Sequence, residues 1–379
     1  MKPLVDCDPI TLPSARADLI TETIVETVIR EFKKGTASRG LRPQHLVDAL
    51  NSEARTQILT QITKTVRFLA EAPIVFAPFL SGASLTALDK TKDDVFDVRP
   101  IASGEVLRRI VAKCLCATQK ASAGKYFVAG GQFGVACEAG MERVIYHTRS
   151  VVQRETCGQA AVEPEQEGLV LEHEHMENTP KLDFVILKVD LKNAFNRVSR
   201  YHILRLVKLK FPALARWVTW TYGNDDPFLW FRGGMLHSQE GVQQGDPLGP
   251  LLFSMVIQQL VDAIRVACPR LALNCWYLDD GVLAGKAADV LKALHIIQTL
   301  GPDLGMDLNL KKNELVKFDH TDDDFPPECM HFYRNFNLLG SPIGDEDYCT
   351  KYITNYVKER VEHMPPSPPS TTRKSSTSS

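Results

Sequence analysis

The sequence predicts an α+β fold in which helices pack on short, buried strands. Apolar residues in the segment 17–32 recur at the spacing of an amphipathic helix. Residues 184–189, FVILKV, form a β-branched apolar run that is typical of a buried strand. Two further apolar runs, 271–277 and 282–284, flank Asp279, Asp280 and Gly281, which predicts two strands joined by a tight turn.

The remaining segments follow the same rules. Helical spacing predicts further helices at 43–50, 53–71, 103–116, 191–206, 250–266 and 287–300. Gly233 and Gly234 predict the turn of a β-hairpin within 227–236, whereas the charged segment 90–99 is expected to be a turn. The Pro/Ser/Thr-rich segment 365–379 is expected to be disordered.

An acidic segment, 154–182, interrupts this pattern and is expected to be a loop or an insertion. His173 and His175 lie in it, two positions apart. Their spacing permits a metal site, but no third ligand follows at a useful distance. A solvated loop is therefore the favoured interpretation.

Length and composition exclude several classes of protein. The chain has 379 residues, 44% hydrophobic and 24% charged, which excludes a disordered, collagenous or disulfide-stabilised mini-protein. No uncharged apolar run reaches about 18 residues, and no signal-peptide pattern begins the chain, so we expect no membrane association. Nine scattered cysteines favour reduced thiols and an intracellular location, in the nucleus or the cytoplasm. The net charge of -2 excludes a uniformly basic surface but allows a local basic groove.

Three aspartates lie where carboxylates are costly. Asp279 and Asp280 occupy the tip of an apolar hairpin, and Asp190 ends the run 184–189. Buried carboxylates are destabilising unless a positive charge meets them, and Mg²⁺ suits their oxygens. Adjacent strands would bring Asp190 and Asp279 to one rim, where two ions about 3.5–4 Å apart would suit phosphoryl transfer.

Between these aspartates, residues 243–250 read QQGDPLGP. Two glycines and two prolines indicate a shaped turn before a helix N-terminus, where the backbone can approach a ligand closely. By itself, this segment is equally compatible with an ordinary helix entry.

Taken in order, these segments resemble those of reverse transcriptases, especially the enzymes of non-LTR retrotransposons. Residues 190–195 (DLKNAF), 244–250 (QGDPLGP) and 277–280 (YLDD) resemble motifs A, B and C of that family. Residues 308–314 (LNLKKNE) resemble motif D, and 338–344 (LLGSPIG) resemble the next element. The segment from Arg99 to Arg109 resembles the fingers signature, and 40–46 (GLRPQHL) its leader. The resemblance covers residues 35–345.

The resemblance implies a right-hand polymerase with fingers and palm subdomains, an antiparallel palm sheet with helices on one face, and a thumb that is short or missing. We expect an N-terminal helical segment (1–34), fingers and the start of the palm (35–153), the acidic insertion (154–182), the palm with its catalytic motifs (183–345), a short helical remnant of the thumb (346–364) and the tail (365–379).

By position, the resemblance also assigns roles around the reaction centre. Asp190, Asp279 and Asp280 are the implied catalytic residues, and with the backbone of Leu191 they are the implied ligands of two Mg²⁺ ions, for which Mn²⁺ is a substitute. The implied nucleotide-binding residues are Lys90, Arg99, Phe195, Gln244, Gly245 and Lys312.

Several of these roles compete with simpler ones. Phe195 matches the aromatic residue that excludes a ribose 2′-hydroxyl, and the alternative is a core phenylalanine. Lys92 competes with Lys90 for the triphosphate. Lys312 is a candidate to protonate pyrophosphate or an exposed lysine. Trp276, with Tyr277, packs either on the primer end or in the core.

The basic residues of the fingers segment are candidates for a template groove, because phosphate contacts are sequence-independent and need positive charge. The implied nucleic-acid-binding residues are Arg39, Arg42, Arg108, Arg109 and Lys113. For each residue alone, a solvated surface charge is the simpler interpretation.

The function that the resemblance implies is RNA-directed DNA synthesis by a retroelement domain. The expected partners are an RNA template, a DNA primer, dNTPs and other domains or chains of a retroelement. One alternative is a catalytically idle or domesticated fragment that only binds nucleic acid. A second is an RNA-directed RNA polymerase, against which Phe195 argues.

Overall fold

The computed structural model describes residues 12–32, 40–72, 76, 80–91, 98–157, 183–223, 227–319 and 325–362. Arg39, His173, His175, most of the acidic segment 154–182 and the segment 365–379 lie outside these ranges. The predictions made for them therefore stay predictions.

The described helices are, in chain order, α1 (Glu22–Arg30), α2 (Pro43–Leu50), α3 (Arg55–Ala70), α4 (Val106–Ala129), α5 (Gly140–Cys157), α6 (Ala194–Arg197), α7 (Arg200–Lys210), α8 (Ala215–Tyr222), α9 (Gly249–Ala267), α10 (Ala287–Leu300) and α11 (Glu346–Glu362). The described strands are β1 (Ala83–Asp89), β2 (Val98–Gly104), β3 (Val185–Val189), β4 (Phe228–Phe231), β5 (Gly234–His237), β6 (Leu273–Tyr277), β7 (Asp280–Gly285), β8 (Glu314–Lys317), β9 (Met330–Tyr333), β10 (Phe336–Leu338) and β11 (Ser341–Ile343).

Each predicted helix corresponds to one or two helices of the structure, with shifted boundaries. The predicted helix 17–32 starts late, because the Thr21 side chain accepts a hydrogen bond from the Ile24 N–H and so caps α1. The predicted helix 191–206 is divided into α6 and α7, since Ser199 leaves the helical path and its N–H donates to the Leu304 carbonyl at 2.9 Å. Helix α4 runs beyond the predicted end at residue 116.

A four-stranded sheet in the order β2-β1-β4-β5 forms one end of the fold. Strands β1 and β2 pair antiparallel around the segment 90–99, where the sequence predicted only a turn. They were missed although Ala83, Leu85 and Ala87 alternate with Ser84 and Thr86, because this run is short and weakly apolar and most of β1 is exposed. The predicted hairpin is present as β4–β5, but its two-residue turn lies at Arg232 and Gly233 rather than at Gly233 and Gly234, and both turn residues have positive φ.

A five-stranded sheet in the order β6-β7-β3-β8-β9 forms the centre. Its first four strands are antiparallel, as predicted, but β9 runs parallel to β8, so the complete sheet is mixed. In the register of β3 and β7, Val189 is opposite Gly281. The next residue on each strand is an aspartate, so this register alone brings Asp190 beside Asp280.

Both faces of the central sheet are buried in apolar clusters. One face contributes Val185, Leu187 and Leu315 to the larger cluster, in which α7, α9 and α10 also take part. The opposite face contributes Ile186 and Val316 to a second cluster, whose other members include Val144 and Val151 of α5 and Phe336 of β10. The prediction of helices on one face is therefore incomplete, because α5, which the sequence analysis did not identify, covers part of the other.

Helix α9 is the central helix of the larger cluster. It is the one helix in the described ranges that is long and apolar enough to span a membrane by length and composition alone. Its most apolar window is 61% buried within the fold, which is the environment of a core helix.

Candidate active site

Asp190 is fixed at the end of β3 by the segment that leads into β8. Its N–H donates to Asn313 Oδ1 at 2.8 Å, and the Asn309 side-chain amide donates to Asp190 Oδ2 at 2.9 Å. The Asn309 N–H also donates to the Asp190 carbonyl at 2.9 Å. Because Asn313 is fully buried, these contacts orient both the backbone and the carboxylate of Asp190.

Asp279 lies in the tight turn between β6 and β7, next to Leu278, whose φ is 58°. A leucine in this left-handed region is strained and needs support from its surroundings. Gln132 provides that support from a fully buried position. Its Oε1 accepts from the Leu278 N–H at 2.8 Å and its Nε2 donates to the Leu278 carbonyl at 3.0 Å.

The sequence analysis did not identify Gln132. The residue lies between close-packed glycines, and a Cβ at Gly134 would lie 2.6 Å from the Leu278 nitrogen. The Gly134 N–H donates to Gln132 Oε1 at 2.9 Å. The sequence offered one signal, a single polar side chain within the glycine-rich segment 130–134 (GGQFG). This pattern does not show which residue Gln132 bonds.

Burial raises the pKa of each of the three aspartates above its usual value. For Asp190, the hydrogen bond from Asn309 and the charges of Lys312 and Arg99 oppose this rise. For Asp279, the nearby charge of Asp190 adds to it. Burial and the charges of both other aspartates raise the pKa of Asp280 to about 6. The three carboxylates therefore share one site and repel one another.

This donor set fits divalent cations. Carboxylate oxygens are hard ligands, and a cation would remove the repulsion that raises these pKa values. Within the described ranges, no group of three or more His, Cys, Asp or Glu side chains encloses a metal by itself. Mg²⁺ is usually bound through one or two carboxylates together with substrate phosphates, so an open carboxylate site is the expected form.

A cleft of about 750 Å³ collects most of the residues that the sequence assigned to chemistry. It is lined, among others, by Arg99, Asp190, Leu191, Phe195, Gln244, Gly245, Asp279 and Lys312. Asp280 instead faces an adjoining cavity of about 330 Å³, which Asp190 and Lys312 also line. Of the predicted nucleotide-binding residues, Lys90 is the exception, because it is exposed at the end of β1 and lines neither cavity.

The loop before α9 closes the cleft on the side of β2. The Ala102 N–H donates to the Gln244 carbonyl at 2.7 Å. Gly245 has a φ of 126°, and a Cβ there would lie 2.4 Å from the Ala102 carbonyl oxygen. Only glycine fits this position, so the close backbone approach predicted for this turn is present, and its partner is β2.

Phe195 takes part in both of its proposed environments. Its ring stacks on Phe253 of α9, with centroids 4.6 Å apart and planes 19° apart. It is nevertheless only half-buried and lines the cleft. A Cβ at Gly241 would lie 2.5 Å from the Phe195 carbonyl oxygen, so the glycine allows the chain to pass close to α6.

Of the five predicted nucleic-acid-binding residues, Arg39 lies outside the described ranges, and the other four lie in different surroundings. The prediction that Arg108 binds nucleic acid is wrong. Arg108 is 2% exposed and forms an ion pair with Asp246, so it cannot contact a template. The Arg109 guanidinium and the Lys113 ammonium lie over the Phe32 ring, 4.9 and 4.7 Å from its centroid. Arg42 is exposed at the start of α2.

Trp276 belongs to the core, since it is fully buried, and its indole N–H donates to Asn274 Oδ1 at 2.9 Å. A Cβ at Gly281 would lie 2.6 Å from the Trp276 ring. Tyr277 packs against the second apolar cluster and remains partly exposed.

Carboxylates at the rim of a central sheet, facing a glycine-containing loop and a second, smaller sheet, define the class of right-hand nucleic-acid polymerases with palm and fingers. The family model described as reverse transcriptase (RNA-dependent DNA polymerase) matches residues 140–343, more than half of the chain. The chain therefore belongs to the reverse transcriptase family.

Among solved structures, the chain is similar to telomerase from Candida albicans, determined in complex with a TWJ fragment of telomeric RNA. The two chains share 11% sequence identity with a TM-score of 0.41. The similarity covers 73% of this chain and 46% of the telomerase chain. No curated protein matches the chain.

Proposed function

We propose that this chain is the RNA-directed DNA polymerase domain of a retroelement, which adds dNTPs to the 3′ end of a primer on an RNA template. One observation carries the proposal: Asp190, Asp279, Phe195 and Gly245 line a single cleft. The resemblance of the segment from Arg99 to Arg109 to the fingers signature of non-LTR enzymes supports a non-LTR type. The same proposal places the protein inside the cell, with an RNA template, a DNA primer and other parts of the retroelement as partners.

Asp190 and Asp279 would hold two divalent ions, most suitably Mg²⁺, with the backbone of Leu191 and with Asp280 in support. When bound, such ions activate the attacking hydroxyl and neutralise charge on the transferring phosphoryl group. The hydrogen bond from Asn309 fixes the orientation of the Asp190 carboxylate. The hydrogen bonds of Gln132 hold the turn that carries Asp279 in one conformation.

The other residues of the cleft would bind and select the nucleotide. Arg99 and Lys312 bring positive charge to the side of the carboxylates, where a triphosphate would lie. Lys312 is also placed to hold a proton for the leaving pyrophosphate. Phe195 presents a ring held by Phe253, which would exclude a 2′-hydroxyl group.

Primer extension on an RNA template with dNTPs and Mg²⁺ tests the proposal. Asp279→Ala should reduce extension at least about 1000-fold, because it removes charge stabilisation worth several kcal/mol. Asp347→Ala is the matched control, since Asp347 is exposed on α11 and does not line the cleft. Thermal unfolding of each variant shows whether the fold is intact.

Two results would contradict the proposal. Retained extension by a folded Asp279→Ala variant would remove the carboxylates from the reaction. Absence of extension by the wild-type chain, with primer–template binding intact, would instead identify a fragment that only binds nucleic acid.

A further inference from the structure

A buried polar cluster lies where the sheet of β1 and β2 meets the loop before α9. Arg108 is 2% exposed and Asp246 is 7% exposed. The Arg108 Nη2 donates to Asp246 Oδ2 at 3.1 Å, and the Tyr222 hydroxyl donates to the same oxygen at 2.7 Å. Asp246 also raises the pKa of Tyr222, after burial the largest cause of its rise. Buried ion pairs add little net stability, so a positional role is the better explanation.

The single guanidinium of Arg108 joins three separate segments. From α4, its Nη1 donates to the Ser81 carbonyl at 2.6 Å, just before β1, and to Gln243 Oε1 at 2.9 Å. Its Nη2 reaches Asp246, as described above. A lysine could not make these contacts at once, because it lacks the planar fork of donors.

The loop before α9 is also stabilised by hydrogen bonds between its own residues. Asp246 Oδ1 accepts from the Leu248 N–H at 3.0 Å, and the Asp246 N–H donates to the Gln243 carbonyl at 3.0 Å. Between these anchors, Gln244 accepts a hydrogen bond from Ala102 in β2. The loop therefore lies between the buried cluster below and β2 beside it.

We propose that Arg108, with Asp246 and Tyr222, is a positioning residue that holds Gln244 and Gly245 in place before a nucleotide enters the cleft. This inference rests on the proposed function, since it assigns nucleotide binding to that loop. Arg108 touches no substrate; it acts through Gln243 and Asp246. Its loss should weaken nucleotide binding more than it slows the chemical step.

Single-nucleotide extension with Arg108→Gln, Arg108→Lys and Tyr222→Phe provides the first measurement. Each should raise the KM for dNTP about tenfold while kcat changes less than about threefold, the pattern expected when binding rather than chemistry is lost. Tyr222→Phe removes one hydroxyl group without changing volume, so this variant keeps the test valid if Arg108→Gln fails to fold. Arg205→Gln is the matched control, because Arg205 is an exposed arginine on α7 that bonds Gln259.

Hydrogen–deuterium exchange provides a second measurement that needs no activity. In the variants, amide protection should fall in the segment 241–249 and stay unchanged in α10. An unchanged KM in Tyr222→Phe and Arg108→Lys, or exchange that rises equally throughout the fold, would overturn the positioning role. If the wild-type chain extends no primer, the proposed function fails, and the exchange pattern still decides whether Arg108 holds the loop.

Discussion

Replacement of Gln132 by methionine tests how the carboxylate turn is held. Methionine has nearly the same length and is apolar, so Gln132→Met removes hydrogen bonds with little change in volume. Three backbone groups lose their partner: the N–H and carbonyl of Leu278 and the N–H of Gly134.

The three hydrogen bonds are part-buried, so the expected loss in the free energy of unfolding is about 1.5–4.5 kcal/mol, which is about 0.5–1.5 kcal/mol for each bond. Activity should fall further than stability alone explains. Leu278 adopts a left-handed conformation beside Asp279, and release of that strain would move the carboxylate. A displacement of about 1 Å at a reaction centre costs about 100-fold in rate.

Urea denaturation gives the first quantity, and single-turnover primer extension well below the unfolding transition gives the second. Gln119→Met is the matched control, since Gln119 lies on α4 and its side-chain bonds are local. A folded Gln132→Met variant that loses the expected stability but keeps the wild-type rate would refute the reasoning. In that case, the backbone register of β6 and β7 would suffice to place Asp279.

Three further predictions concern the nucleotide side and the charge of the site. Phe195→Ala should lower the discrimination against ribonucleotides about tenfold, measured as the ratio of kcat/KM for dNTP and NTP; a wild-type chain that already accepts both equally would exclude Phe195 as the gate. Gly245→Ala should destabilise the protein more than Gly233→Ala, because both positions have positive φ but only Gly245 faces a Cβ contact of 2.4 Å; equal melting temperatures would disprove the close approach to β2. Without divalent ions, the free energy of unfolding should fall as the pH rises from about 4 to about 6, since native Asp280 retains a proton that the unfolded chain has lost. Because Asp280 is exposed to solvent, the change is reduced in size. A stability profile that Asp280→Asn leaves unaltered would contradict the prediction.

The sequence predicted the central strands well, for a physical reason. Strands β3, β6 and β7 are short apolar runs with defined ends. Strands β6 and β7 pair across a tight turn, whereas β3 pairs with β7 over a long distance in the sequence, with Val185 opposite Gly285. Once those strands are neighbours, the register brings Asp190 beside Asp280, and Asp279 precedes Asp280 in the turn. The apolar runs and their order along the chain were therefore enough to predict that these aspartates lie together at the rim of the central sheet.

The supporting side chains could not be predicted in the same way. Gln132, Asn309 and Asn313 bond to backbone groups far away in the sequence, and no periodicity records such a partner. Arg108 is different, because the sequence contained a usable signal. It shares a helix face with Val111 and Leu115, three and seven positions later, which are both fully buried. An arginine on that face requires a buried acceptor.

These supports explain how the site can carry three repelling carboxylates and still have one geometry. Each motif segment receives a buried polar side chain from elsewhere in the chain: Asn313 reaches the backbone of Asp190, Gln132 that of Leu278, and Arg108 the carboxylate of Asp246. None of these contacts neutralises the aspartates at the rim, whose pKa values remain raised. The fold thus fixes the positions of the carboxylates and leaves their charge to be met by what binds. Pre-organised groups of this kind stabilise a transition state without reorganisation during the reaction, which suits the nucleotidyl transfer that we propose.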